Sequence, residues 1–144
     1  METFERKFAL QVPSSTENLA LIREFVASAA KQAGFAEKEI GKIELAVDEA
    51  CANVIEHAYG NDANKEVIVR AKLDEREFSI DIEDTGIGFN PATVDQEELE
   101  QLINKRKTGG LGMRLMKTLM DEVRYDIEPG KKNALHMSKR LNKG

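Results

Sequence analysis

The sequence predicts an α/β two-layer sandwich, a mixed, mostly antiparallel sheet with helices packed on one face. Two observations carry this. Apolar residues alternate at period two in several segments, four of which form two pairs, each joined by a short polar turn, as hairpin strands do. Before and between these hairpins, apolar residues recur three and four apart, the mark of a helix with one buried face. Helices and hairpins in alternation bury both kinds of apolar face by stacking in two layers. At 144 residues, with no repeat or low-complexity linker, one domain over 1–144 is expected.

Phe4, Phe8, Leu10 and Val12 fall at even spacing, a strand that Pro13 ends. Ser14 and Glu17 have the spacing of a capping box. Behind them Leu19, Ile22, Val26, Ala29 and Ala33 trace one helical face, which Gly34 stops. A second helix is expected from about Glu37 to His57, with Ile40, Ile43, Val47 and Val54 inside, ended by Gly60-Asn61-Asp62. Two strands follow, Val67/Val69/Ala71/Leu73 and Phe78/Ile80/Ile82, around the turn Asp74-Glu75-Arg76. A glycine-bearing loop over 84–91 and a short acidic helix from Thr93 to about Ile103 come next. Gly109-Gly110-Leu111-Gly112 opens a helix carrying Leu115, Met116 and Leu119. The last two strands, Val123–Ile127 and Ala134–Leu141, flank a Glu128-Pro129-Gly130 turn.

Composition removes several function classes. The chain is 41% apolar, too rich for a disordered segment. No apolar run approaches the ~20 residues of a membrane span. The opening Met1-Glu2-Thr3-Phe4-Glu5-Arg6-Lys7 lacks the charged-then-apolar order of a secretory signal, so a cytoplasmic protein without a membrane partner is expected. Cys51 stands alone, which excludes an intrachain disulfide and a multi-cysteine zinc site. A net charge of −5 speaks against direct binding of nucleic acid. After Pro129 the chain carries Lys131, Lys132, Lys139, Arg140 and Lys143 with no acidic side chain, a run that reads as a solvated face.

Three segments carry possible chemistry. Glu49, Asn53 and His57 recur at i and i+4, one polar stripe beside the buried stripe of the second helix. A carboxylate one turn from a carboxamide suits a general base beside a Mg²⁺ ligand, because Mg²⁺ takes oxygen ligands and leans on substrate phosphates. Asp84-Thr85-Gly86-Ile87-Gly88 follows a strand directly. Its carboxylate can accept from an amino group such as that of adenine, and its glycines let a ligand approach the backbone. Lys107-Thr108-Gly109-Gly110-Leu111-Gly112 opens a helix, where free N–H groups and the helix dipole suit phosphate, with Lys105 and Arg106 alongside. Taken singly, each has a plain structural alternative: a solvated helix face, a strand-ending turn, a hinge before a helix.

In their order, these segments resemble the GHKL ATP-binding fold: Glu-x-x-x-Asn on a helix, a hairpin ending in Asp-x-Gly-x-Gly, then Gly-x-Gly opening a helix. Asp48-Glu49-Ala50 through Asn53, with His57-Ala58-Tyr59 beyond, is similar to the bacterial anti-sigma-factor serine kinases. Gly109-Gly110-Leu111-Gly112 followed by Leu119-Met120-Asp121-Glu122-Val123 adds to that likeness, which covers nearly the whole chain. The resemblance implies Glu49 as catalytic base, Asn53 as Mg²⁺ ligand and Asp84 as the adenine-recognising residue. It implies Gly86 and Gly88 as the hinge of a nucleotide lid over about 90–108, and Gly109, Gly110, Leu111 and Gly112 as a glycine box near the phosphates. The family's γ-phosphate contact falls among Arg106, Lys107 and Thr108.

The activity so implied is an ATP-dependent serine protein kinase that is also an anti-sigma factor. It would bind ATP or ADP with Mg²⁺, phosphorylate a serine on a small anti-anti-sigma protein of STAS type, sequester a sigma factor and form a homodimer. Two alternatives share the fold. One is a regulatory module that binds ATP or ADP without phosphorylating a partner. The other is a stand-alone histidine-kinase-type catalytic domain that phosphorylates a histidine in trans.

Overall fold

A computed structural model describes residues 5–55, 65–84, 110–128 and 132–141. The elements run β1 (Glu5–Pro13), a 3-10 turn (Thr16–Asn18), α1 (Leu19–Ala33), α2 (Glu37–Asn53), β2 (Glu66–Asp74), β3 (Glu77–Asp84), α3 (Gly110–Leu119), β4 (Glu122–Glu128) and β5 (Lys132–Arg140). The strands form one five-stranded sheet in the order β1-β2-β3-β5-β4. All four pairings are antiparallel. The fold is the α/β sandwich expected, with β3 at the centre of its sheet.

Alternation along the strands sorts the residues into two faces. Val67, Val69, Ala71 and Leu73 of β2, Phe78, Ile80 and Ile82 of β3, and Leu135 and Met137 of β5 are buried on the inner face. Over them lie Ile22, Val26, Ala29 and Ala30 of α1, Ile40, Ile43, Ala46, Val47 and Ala50 of α2, and Met116 of α3. Each Val, Leu, Ile, Phe or Met side chain so removed from water contributes roughly 1.5–3 kcal/mol, so these helices are held by packing more than by propensity. Phe35, just past α1, meets Phe78 edge to face at a centroid distance of 6.0 Å, a preferred aromatic geometry. Cys51 is wholly buried, and burial, helped by Asp48, pushes its thiol up to about 12.

Helix ends follow their sequence signals with one correction. Gly34 takes φ 96° and its N–H donates to the Lys31 carbonyl at 3.0 Å, the left-handed cap that a side chain would strain. The capping serine is Ser15, whose Oγ accepts from the Glu17 N–H at 3.4 Å. Ser14, expected in that role, is buried and its Oγ donates to the Lys65 carbonyl at 3.0 Å. Tertiary contact with the approach to β2 takes the first serine and leaves the cap to the second. The hairpin turn between β2 and β3 is held by Asp74, whose Oδ1 accepts from the N–H groups of Arg76 at 2.7 Å and Glu77 at 2.9 Å. Those two bonds, Arg76 first, hold its carboxyl below the ordinary aspartate value. The expected acidic helix over 93–103, the Pro129-Gly130 turn and the second helix beyond residue 55 lie outside the described residues.

Candidate functional site

The inner face of the sheet is apolar along the centre of its strands and polar at one end of β3 and β5. Asp84 closes β3 and is 2% exposed. It stands opposite Asn133 of β5, which is 4% exposed, and Asn133 Nδ2 donates to Asp84 Oδ1 at 2.9 Å. A buried carboxylate is costly unless hydrogen-bonded, so a pair at this place fixes the orientation of the carboxylate as well as satisfying it. Val67 of β2 flanks Asp84 on the other side. The Asp84 expected at the strand's end is therefore an inward, buried acceptor. Asn133 was not among the expected site residues. Its signal is there nonetheless: with Leu135 and Met137 set inward, period two puts a polar residue on the core face.

The helices over this face bring the remaining candidates. Glu49 of α2 is half-buried, and among the described residues no hydrogen bond or ion pair holds its carboxylate. Asn53 is the last residue of α2, one turn after Glu49. Beyond it the helix widens into a π-type turn at Val54 and Ile55, with the Val54 N–H shared between the carbonyls of Ala50 and Cys51. Arg23 of α1 reaches Asp48 Oδ2 at 3.2 Å, fastening α1 to α2 one residue before Glu49. The other Asp48 oxygen is buried and has no hydrogen bond among the described residues.

α3 begins at Gly110, so Gly110, Leu111 and Gly112 form its first turn. The first four N–H groups of a helix lack partners within it and carry the positive end of its dipole, a combination that suits phosphate. The fold thus sets a buried Asp84–Asn133 pair at the end of β3 and β5, Glu49 and Asn53 on α2, and a glycine-led first turn on α3, which packs against α2. Gly86, Gly88, Arg106, Lys107, Thr108, Gly109, His57 and the 90–108 segment lie outside the described residues. Among the described residues no three His, Cys, Asp or Glu side chains cluster as metal ligands. A carboxamide residue at 53 nevertheless suits an ion such as Mg²⁺, which takes oxygen ligands and completes its shell with phosphate and water.

The family profile described as the Histidine kinase-like ATPase domain matches residues 12–139. The chain belongs to this family. Within it, the chain is 34% identical over 140 residues to Serine-protein kinase RsbW of Bacillus subtilis strain 168, an alignment covering 92% of this chain and 84% of the relative. It is 32% identical over 134 residues to Serine-protein kinase RsbW of Bacillus mycoides strain KBAB4, covering 90% and 82%. The RsbW protein of Bacillus licheniformis is 33% identical over 138 residues, covering 93% and 85%. Membership in the RsbW serine-protein kinases follows, and it makes ATP the nucleotide of the fold. The crystal structure of the RsbU and RsbW domains of Rv1364c from Mycobacterium tuberculosis shares the fold, with TM-score 0.67 and 16% identity over 94% of this chain and 32% of that one. The GHKL resemblance read from the three motifs is thereby borne out. No helix among the described residues is long and apolar enough to cross a membrane.

Proposed function

We propose that this chain is an ATP-dependent serine protein kinase and anti-sigma factor acting as one domain in the cytoplasm. The observation that carries the nucleotide part is the buried Asp84–Asn133 pair at the end of the inner sheet face. A buried, oriented carboxylate is suited to accept from the adenine amino group, and such a site penalises a ligand lacking that donor. The glycine-led first turn of α3, with Gly109 before it, receives the phosphates through its N–H groups. Gly86 and Gly88 hinge the segment that carries Arg106, Lys107 and Thr108, of which a cation meets the γ-phosphate. Asn53, with the phosphates, would hold Mg²⁺, which would supply neutralisation of the charge that builds on the transferring group.

The chemistry is a displacement at phosphorus. The serine Oγ of the partner bonds to the γ-phosphorus while the bond from that phosphorus to the β–γ bridging oxygen breaks, releasing ADP. Glu49, one turn before the metal-side residue, takes the serine proton. The protein's work is mainly positioning and charge stabilisation. The partner is a small anti-anti-sigma protein of STAS type, the sequestered protein a sigma factor, and the assembly a homodimer, as the likeness to anti-sigma kinases implies.

The test is incubation with γ-labelled ATP and a serine-bearing STAS-type partner, followed by acid treatment. Acid-stable label on a partner serine is expected. Acid-labile label points instead to a histidine acceptor, and ATP binding without label to a regulatory module.

A further inference from the structure

One residue of the basic C-terminal run does not face water. Lys139 continues the inward set Asn133, Leu135 and Met137 on β5, and its side chain is only 12% exposed. This corrects the solvated face expected for that run. Its ammonium donates to the Leu119 carbonyl at 3.0 Å and meets Glu39 Oε2 at 2.9 Å. Leu119 is the last residue of α3, and Glu39 lies in the first turn of α2. A single side chain ties a strand to the end of one helix and the start of another.

The surroundings hold that contact in place. The Asp121 N–H donates to the Ser138 carbonyl at 2.9 Å, and the Arg140 N–H donates to Asp121 Oδ2 at 2.6 Å. The backbone on both sides of Lys139 is therefore pinned to the turn that follows α3. Last-turn carbonyls lack partners within their helix, and a cation there complements the dipole, as a carboxylate does in a first turn. The hydrogen bond from Lys139 is also the main reason that Glu39 sits below the ordinary glutamate value.

From this junction α3 leads back to Gly110 and α2 leads forward to Glu49, and the two helices pack together. Each path is about 15 Å of helix, so a tilt of about 4° at the junction moves the far end by about 1 Å. A misplacement of that size at a reacting centre can cost on the order of 10²-fold. Met116 of α3, and Met120 just past its end, are buried in the core, but apolar contact is non-directional and leaves the helix's tilt and slide less defined than a charged, doubly bonded anchor.

We propose that Lys139 is a positioning residue for the phosphate end of the nucleotide site, setting the first turn of α3 relative to Glu49 through its bonds to Leu119 and Glu39. This rests on the nucleotide site proposed above. It acts on the phosphates and leaves the adenine end, at Asp84 and Asn133, alone.

The experiment compares ATP and adenosine affinities, by calorimetry and NMR titration, for the unaltered full chain and for K139M, K139R and E39Q. K139M should lose roughly tenfold in ATP affinity while adenosine changes less than about twofold. K139R, which can donate to both partners, should recover most of the loss. E39Q keeps the ammonium on Leu119 and should show a smaller loss with the same ATP-selective sign; it carries the test if K139M does not fold in a thermal melt. Equal losses for ATP and adenosine, or no change in either, overturn the positioning role while leaving the site intact. If the unaltered chain binds adenosine and ATP equally, or neither, the nucleotide site fails and the role of Lys139 fails with it.

Discussion

Two aspartates of β3 stand three residues apart and both meet a nitrogen-bearing partner on β5, on opposite faces of the sheet. On the inner face Asp84 receives Asn133 at 2.9 Å. On the outer face Asp81 meets His136 Nδ1 at 2.7 Å, with side chains 38% and 16% exposed. The bonds have similar lengths and the same two strands present them. What differs is the neighbourhood. The outer pair sits among Arg70–Glu83 and Arg124–Glu122 pairs, where water and other charges can replace any one contact. The inner pair is an interruption in a face of Val, Ile, Leu and Met, where a polar group is retained at a cost. A hydrogen bond between side chains is thus informative in proportion to how out of place it is.

Phe78 sets the scale of the inner face. Phe78→Ala should destabilise the fold by roughly 3–5 kcal/mol, read by urea denaturation. A cost near that of a surface substitution would mean the inner face is not the core. Glu49→Gln extends the comparison to α2, where a half-buried carboxylate has no described partner. ATP should still bind while phosphoryl transfer falls by ~10²-fold or more, about 2.7 kcal/mol. Transfer at the unaltered rate removes Glu49 from the chemistry.

The sharpest form of the contrast is Asp84→Ala beside Asp81→Ala. The first should weaken ATP binding by roughly tenfold or more. The second should leave ATP affinity unchanged and alter stability by about 0–1 kcal/mol. Equal effects on ATP would erase the distinction between the faces. The smallest effect concerns Asp74, at the turn where the two faces meet water. Its folded value is depressed, so its contribution is present above the unfolded aspartate value, ~3.9, and is lost as pH falls through the lower folded one. Asp74→Ala should cost about 0.5–1 kcal/mol near neutral pH and nothing once the unaltered carboxyl is protonated. A pH-independent cost would assign the effect to backbone propensity.

Much of this was legible in the chain before folding. Period-two and period-three-four patterns located every described strand and helix, because burial on one face is what those periods record. The edges were less legible. β5 begins at Lys132, before the Ala134 expected, since a reading keyed to apolar residues passes over Asn133, whose inward place is secured by Asp84. That contact spans 49 residues of sequence and no local pattern contains it. Lys139 was hidden in the same way. Counted by charge it belongs to a basic run; counted by alternation it belongs to the core face. Ser14 and Ser15 are adjacent and of one residue type, and it is the distant Lys65 carbonyl that engages the first. The candidate site divides likewise: residue types and order were visible for Glu49, Asn53 and Asp84, whereas their supporting partners were not.

Cys51 gives the molecule an internal clock. A thiol raised to about 12 and fully enclosed is almost entirely in its unreactive form at neutral pH, and no reagent reaches it while the core is closed. Alkylation must therefore wait for the helix layer to part from the sheet. When reclosing is fast compared with modification, the labelling rate measures the free energy of that parting, without denaturant and without an added probe. Because Cys51 lies between Glu49 and Asn53 on α2, a nucleotide that stiffens this helix should slow the clock, and the ratio of rates with and without ATP reads the coupling between the site and the core.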